Sequence, residues 1–600
     1  MDKSDIKKQI KNAKKPDDVN KQDLGSARRI VENALSDAEN GNLSGINDIF
    51  FASTKKIREI SEADFLQIKA RYGKIKGLLA SDLNKATRIY KKAQTITGGD
   101  SEATQGRATK PDMLVELVRS KGVLFHDSDD EVFISFKVEQ IDKDSGEVIG
   151  QHYQTWNIRS KGFKKWASYL FFATYETVPG DTAINEAIDT LSGIGQFEGE
   201  EIETCLRYGL QDEKIYIDLG CEQWKVVEIS KSGYQVISSQ NSPVKFTRSN
   251  IFRALPLPKN DGDIALLWEH LNIESKDGRV LILAWLLECM RVNRPYPVCE
   301  IIGQQGSAKS TFAKRLRQII DPSKVELRSA PRSVEDIFIA TRNNHVISYN
   351  NLSHLTANTQ DALCTISTGG GDATRKLYSS SDEEVFEAMR PVIINGISQL
   401  STRPDLGDRT VAIELPRVKK YITEAKLNDK WEQDLPFILG SLYSLMSKTL
   451  AELPAVVIDK PPRMADFARL GQAMLNAQGI NKSFTQIYQR NRDRVVLRAI
   501  EASPVAQAII NMIDVEVFYK GTKGGLMERL DFHKPKYFDR NAYPKSVRGL
   551  SDALRRLAPA LRVQGIEIIE DKKRYKDGYR IEIHKIEYPS PEPQKTEIEL

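Results

Sequence analysis

From Ser26 to about Lys92 apolar positions recur among charged ones, with Leu66, Ile68, Ile75, Leu78, Leu79 and Leu83 at roughly helical spacing. That pattern predicts a helical region over 28–100. The stretch before it, 1–27, is polar and rich in Lys and Asp, and reads as a disordered or loosely helical tail. A Gly- and Thr-rich linker (95–112) then gives way to alternation. EVFISFKVEQ (131–140) and HYQTWNI (152–158) predict a hairpin around a Ser-Gly turn, and KIYIDLG, WKVVEIS and YQVIS read as further short strands. Helical patterns at 163–174 and 181–192 make 108–257 an α+β module.

RALPLPKNDGD (253–263) is a second linker. Beyond it, the apolar LILAWLLECM (281–290) predicts a buried helix. PYPVCEIIGQQGSAKST follows as a buried strand, a Gly-containing turn and a helix start. Alternating strands and helices continue to Leu415, so 264–420 reads as one α/β core. Residues 421–504 look helical. Residues 505–588 combine helices with a closing strand pair, and 589–600 read as a second tail. No internal repeat is visible.

Composition narrows the class only a little. Six hundred residues call for several domains. Hydrophobic content of 40% and charged content of 28% are those of an ordinary globular protein. No apolar run approaches the roughly 20 residues that cross a bilayer, and the charged N-terminus lacks the apolar segment of a secretion signal. The 5 cysteines form no CxxC pair, which suits a reducing, cytoplasmic setting with no membrane. None of the 7 histidines has metal-site spacing. A net charge of +5 neither requires nor excludes nucleic acid.

Candidate chemistry begins at Gly303-Gln-Gln-Gly306-Ser307-Ala308-Lys309-Ser310-Thr311, which fits G-x-x-x-x-[GA]-K-[ST]. In such a loop, glycines let main-chain N–H groups turn inward on phosphates. The lysine meets β/γ oxygens, the Ser hydroxyl reaches Mg²⁺, and the next helix points its positive end at the anion. ATP with Mg²⁺ is therefore the expected ligand. The next strand, NHVISYNNLSHL, ends at Asn350 and Asn351, where hydrolysis calls for a carboxylate. An amide fills the space without the charge. Glu335, Asp336 or Asp361 are possible substitutes. PVIINGI ends at Asn395, suited to orienting water. Arg403 and Arg409 in TRPDLGDR are candidates to reach a neighbour's γ-phosphate, or simply ion-pair partners of Asp405 and Asp408.

From about Ser61 to Lys585 the chain resembles a family of bacterial ATP-binding proteins of phages and integrated mobile elements, related to superfamily 3 and D5-type replicative helicases. The matching text is GQQGSAKST, LRSAPRSVEDIFIATRNNHVISYNNLS, QDALCTISTGGGDATRKLYSSSDEEVFEAMRPVIINGI and TRPDLGDR. Ala308 is usual in that family's loop. Asn350-Asn351 departs from its Asp-Asn, which bears on hydrolysis and not on binding. The resemblance implies a multidomain α/β chain with a P-loop (AAA+-like, superfamily 3-type) ATPase core, forming a hexameric ring on single-stranded or forked DNA. It also implies a pore-facing hairpin, here Arg375, Lys376 and Tyr378, two cations for phosphates and a ring for a base.

Other basic features suggest contacts of their own. PKSVRGLSDALRRLAPALRVQG predicts a helix with Leu550, Leu554, Leu557 and Leu561 buried and Arg548, Arg555 and Arg562 on another face. The strand pair after it carries Lys572, Lys573 and Arg574 at its tip. A basic helix followed by a basic turn is the layout of a winged helix on DNA. RSKGFKKW (159–166) clusters cations with Phe163 and Trp166, as a nucleic-acid patch or a helix start would. The acidic run 126–130 reads as a turn. Three functions compete: a DNA helicase or translocase, a nucleotide-gated switch with little hydrolysis, and a DNA-binding initiator.

Overall fold

The computed structural model describes residues 24–40, 42–60, 62–75, 83, 109–141, 148–375, 383–536, 543–575 and 578–586. The chain divides into two compact units, 1–106 and 107–600. In the first, α1 (Leu24–Glu39), α2 (Asp48–Ile60) and α3 (Glu62–Lys74) bury Ala27, Val31, Leu35, Phe50, Phe51 and Tyr72 together. Helix α1 starts inside the segment read as a tail to residue 27. Ala27 already belongs to its buried stripe, so the apolar face reaches further back than composition suggested.

The second unit opens with α4 (Lys110–Arg119), whose first turn is closed by reciprocal bonds between Thr109 and Asp112. Next come β1 (Gly122–His126), β2 (Val132–Ile141), β3 (Val148–Asn157), α5 (Lys161–Tyr175), α6 (Asp181–Phe197) and β4 (Glu200–Glu201). The sheet order is β3-β2-β1-β4. The turn joining β2 to β3 lies outside the described residues. The acidic run is a turn: Asp127 Oδ1 accepts the amides of Asp129 and Glu131.

The stretch read as one module, 108–257, is divided. Residues 114–191 have a core of their own. The strands that follow are β5 (Thr204–Cys205), β6 (Tyr208–Gln211), β7 (Lys214–Asp218), β8 (Lys225–Ser230), β9 (Gly233–Ser238) and β10 (Lys245–Phe246). The β6-β7-β8-β9 meander lays Ile215, Ile217, Val227 and Ile229 into the same core as Leu283, Phe312 and Tyr443. Short alternating strands look alike whichever core they face, so the sequence pattern could not show the join. A buried ion pair pins it: Arg207 Nε lies 3.2 Å from Asp321 Oδ1, with the arginine side chain fully buried.

The central part runs through α7 (Ala265–His270), α8 (Lys276–Glu288), β11 (Val298–Ile302), α9 (Lys309–Ile320), α10 (Val334–Arg342), β12 (Ile347–Leu352), α11 (Ala357–Thr368), β13 (Gly371–Arg375), β14 (Glu383–Glu387), β15 (Val392–Gly396), α12 (Pro404–Gly407) and β16 (Thr410–Glu414). Its sheet is parallel throughout, in the order β12-β15-β11-β16. Every residue of β11 and β15 is buried, as strands covered on both faces require. Strands β13 and β14 pair antiparallel as a separate hairpin between α11 and β15.

Helices α13 (Glu424–Glu452), α14 (Ala465–Ala477) and α15 (Phe484–Ala502) follow, then α16 (Pro504–Glu516), β17 (Phe518–Thr522), α17 (Lys523–Phe532), α18 (Val547–Val563), β18 (Ile566–Tyr575) and β19 (Gly578–Lys585). The last sheet, β17-β19-β18, and the helices from α16 onward close a core that includes Ile509, Leu526, Leu554 and Ile583. The whole is a multidomain α/β chain with mixed helices and sheets. Among the described residues no helix is long and apolar enough to cross a membrane.

Candidate functional site

The loop from Gly303 to Ala308 joins the C-terminal end of β11 to the start of α9. In an open parallel sheet that edge is where ligands bind, because strand ends and helix N-termini converge there. Two glycines in it stand where a side chain would be crowded or strained. A Cβ on Gly303 would stand 2.5 Å from Ser307 Oγ and 3.0 Å from the Leu415 carbonyl oxygen. Gly306 has φ +80°, where side chains other than glycine are strained. Ala308 is left-handed too, at φ 62°, and α9 has no side-chain cap. Its first N–H groups are therefore not taken by a capping side chain.

Lys309 Nζ donates to the carbonyls of Gly303 at 2.6 Å and Gln304 at 2.9 Å. Partial burial pulls its ammonium below the ordinary lysine range. Ser307 Oγ is buried without a partner. An orphaned hydroxyl, an uncapped helix start and a cation bonded only to neutral carbonyls together form a donor-rich cradle. They fit a polyphosphate.

Asn350 and Asn395 come to the loop from β12 and β15, neighbours in the sheet. Ser310 Oγ donates to Asn350 Oδ1 at 2.8 Å, and Asn395 Nδ2 donates to the same oxygen at 2.9 Å. The Asn351 amide donates to Asn395 Oδ1 at 2.8 Å. A main-chain N–H can only donate, so it fixes which end of Asn395 faces Asn350, and that in turn fixes the Asn350 oxygen toward Ser310. Asn395, expected to orient water, is buried, and its amide donates to Asn350. A magnesium ion carried by a nucleotide would meet the Ser310 and Asn350 oxygens. Asp336 accepts the Arg332 amide and Asp361 pairs with Arg403. No group of His, Cys, Asp or Glu among the described residues could hold a metal ion.

The two candidate arginines are held within the chain. Arg409 donates to the Asp405 carbonyl at 2.8 Å, and its side chain is mostly buried. Arg403 lies 3.2 Å from Asp361 and stays one-third exposed. Glu300, buried on β11, accepts the amides of Leu400 and Ser401 and so anchors the loop that carries Arg403.

Several neighbours of the loop carried no sequence signal. Asn272 donates to the Ser307 carbonyl at 3.1 Å and the Pro416 carbonyl at 2.7 Å, tying the loop to the chain after β16. The Tyr421 hydroxyl lies beside Gly306. A cavity of about 530 Å³ opens next to Gly303 and Gln304, floored by Leu281, Ile413 and Leu415. Ion pairs flank it: Arg490 with Asp277 at 2.7 Å, and Arg498 with Glu414. These residues are scattered over more than 200 positions and fit no local pattern.

The candidate DNA contacts are spread over two places. Arg375 ends β13, and its side chain, Lys376 and Tyr378 lie outside the described residues. On α18, Ser546 caps the helix, Leu550, Leu554 and Leu561 are buried, and Arg548, Arg555 and Arg562 are exposed. Arg555 stands 3.6 Å from Asp552 and Arg562 2.9 Å from Glu567. Lys573 is exposed on β18, while the side chains of Lys572 and Arg574 fall outside the described residues.

A family model described as "Actinomycete integrative conjugative element replication protein" matches residues 264–493. A second, described as "AICE RepA C-terminal domain", matches residues 505–594. Together they span more than half of the chain. No curated protein matches it. Among solved structures, "SCCmec type IV Cch - active helicase" is 12% identical, with 78% of this chain and 93% of that one covered at a TM-score of 0.39. "The A form apo structure of NrS-1 C terminal region-CTR" is 11% identical, covering 80% and 100% at 0.33. "The X-ray structure of JCV Helicase" is 13% identical, covering 39% and 64% at 0.19. Likeness at these scores carries no weight for activity.

Proposed function

Since the chain belongs to the replication proteins of actinomycete integrative conjugative elements, we propose that it is an ATP-binding motor that acts on DNA as a helicase or translocase. The observation that carries this reading is the Gly303–Ala308 cradle at the C-terminal edge of a parallel sheet, with Lys309 at the start of α9. Triphosphate oxygens replace the two carbonyls as acceptors for Lys309, and the loop amides through Thr311 supply the remaining donors. The base and ribose occupy the neighbouring cavity, whose apolar floor suits a planar ring. Magnesium, when bound, neutralises phosphate charge. Ser310 and Asn350 would hold it, and Asn395 acts by aiming Asn350.

The subunits assemble as a homo-hexamer, with Arg409 or Arg403 turned toward a neighbour's nucleotide and the β13–β14 hairpin toward the DNA. The α16–β19 region works as a winged helix, α18 entering a groove and the β18–β19 tip touching backbone. In the first test, calorimetry with ATP and magnesium shows saturable heat that Lys309→Ala abolishes. Silence from the folded wild type sinks the motor reading. In the second, single-stranded DNA accelerates turnover.

Asn350 favours a second reading, a nucleotide-gated switch. Tight ATP binding with negligible turnover, unchanged by DNA, would decide for it. Sequence-selective duplex binding that depends on α18, again without turnover, would indicate an initiator.

A further inference from the structure

Helix α5 has one face that a surface helix does not ordinarily expose. Phe163, Ala167 and Phe171 are its buried stripe. The opposite face, where charged residues belong, carries Tyr169 at 70% exposure and Phe172 at 52%. These two rings stand three positions apart, so they are neighbours on the helix surface. Exposed Lys161 and Lys165 lie two turns and one turn before Tyr169. Across a groove of about 730 Å³, Val178, Ile184 and Asn185 form the far wall. Lys164 spans it, donating to Asn185 Oδ1 at 2.9 Å.

Charge selects the occupant. Two lysines, Lys164 and Lys165, line the groove, exposed Lys161 stands one turn earlier on the helix, and among the described residues Asp181 is the one carboxylate lining it. Arg159, at the helix entry, is already answered by Asp189 at 3.5 Å. A protein-docking patch is depleted of lysine at its centre. Exposed aromatic rings interleaved with cations are instead what sequence-tolerant binding of unpaired bases needs, rings to stack on and ammonium groups for the phosphates between.

We propose that the outer face of α5, with Tyr169 and Phe172 as stacking rings and Lys161, Lys164 and Lys165 as phosphate contacts, is a binding platform for single-stranded DNA. The platform rests on the reading that this chain acts on DNA but uses none of the residues that reading invokes. Through it the 107–200 region holds an unpaired strand independently of the nucleotide.

The experiment measures fluorescence anisotropy of a labelled oligo-dT with full-length protein, without nucleotide. The Tyr169→Ala/Phe172→Ala double variant is expected to bind at least about tenfold more weakly, since each lost stack corresponds to roughly fivefold or more. Tyr169→Trp retains affinity. Lys165→Glu lowers the salt dependence by about one ion released. All variants keep the wild-type melting temperature and ATP heat. An iodouracil oligonucleotide cross-links to the peptide that contains Tyr169. Wild-type affinity in the double variant overturns the platform. So does a change in particle mass by light scattering with dT binding intact, which would make the face a protein interface. Lys309→Ala separates the two readings, because it removes ATP heat and leaves dT binding unchanged.

Discussion

Ser310 and Asn350 stand 40 positions apart in the chain and 2.8 Å apart in the fold, hydroxyl to amide oxygen. On the proposed reading, the amide occupies the place where the chemistry of phosphate transfer calls for a carboxylate. Its orientation is fixed by a relay from the Asn351 amide through Asn395. The Asn350 oxygen is thus held toward Ser310, and it carries no negative charge.

Asn350→Asp should therefore be a gain of function. A carboxylate accepts the Ser310 and Asn395 hydrogen bonds as the amide oxygen does, and adds the charge a magnesium ion prefers. The expected result is a rise in ATP turnover of about tenfold or more, read by phosphate release with and without DNA. Equal turnover in both proteins would show that this position does not limit the chemistry.

Gly303→Ala should abolish nucleotide binding without unfolding the protein. The new methyl meets Ser307 Oγ and the Leu415 carbonyl at distances of 2.5 and 3.0 Å, so the loop must open. Calorimetry with ATP is expected to show no heat while the circular dichroism spectrum is retained. Unaltered binding would mean the loop yields at little cost.

Arg207→Met should destabilise the second unit by roughly 3–5 kcal/mol, because Asp321 would be left buried with much of its compensation gone. Burial pushes the Asp321 carboxyl up, yet the Arg207 and Arg317 guanidinium groups, with the Val346 amide donating to it, outweigh burial and hold the group below the ordinary range. The double change Arg207→Met/Asp321→Leu is expected to recover part of the loss. Urea midpoints of the two variants measure it, and equal midpoints would deny the pair its role.

Acid should weaken the fold through His345. Burial lowers its imidazole from 6.5 to about 4, against the opposing pull of Asp321. The folded chain thus keeps it neutral where the unfolded chain takes up a proton. Its contribution is fully present above about 6.5 and is lost as pH falls toward 4, at no more than about 1.4 kcal/mol per pH unit for one proton. Melting temperatures between pH 7.5 and 5 should fall less steeply for His345→Gln, whose amide can still donate to the Cys289 carbonyl. Parallel slopes would assign the acid sensitivity elsewhere.

Local chemistry was legible along the chain. The strand, turn and helix start at 298–311 announce themselves because glycines and an apolar run are consecutive in the chain, and the stripe on α18 because helical periodicity is a property of neighbours. Ser546 as a cap and the run 126–130 as a turn follow from the same short-range bonds. What Asn395 does was not legible, since its role depends on β12 and β15 lying side by side. The division of the 108–257 stretch was hidden for the same reason: alternation shows that a strand has a buried face but not which core it faces.

By itself, then, the sequence determined most of the helix and strand segments, that 303–308 is a glycine-containing turn between a buried strand and a helix, and that position 350 holds an amide. Tertiary structure alone decided that Arg207 reaches Asp321, that Asn272 and Tyr421 flank the loop, and that Tyr169 and Phe172 face outward. Those relationships join residues far apart in the chain, and only the free energy of burying all the apolar faces at once selects which distant partners meet.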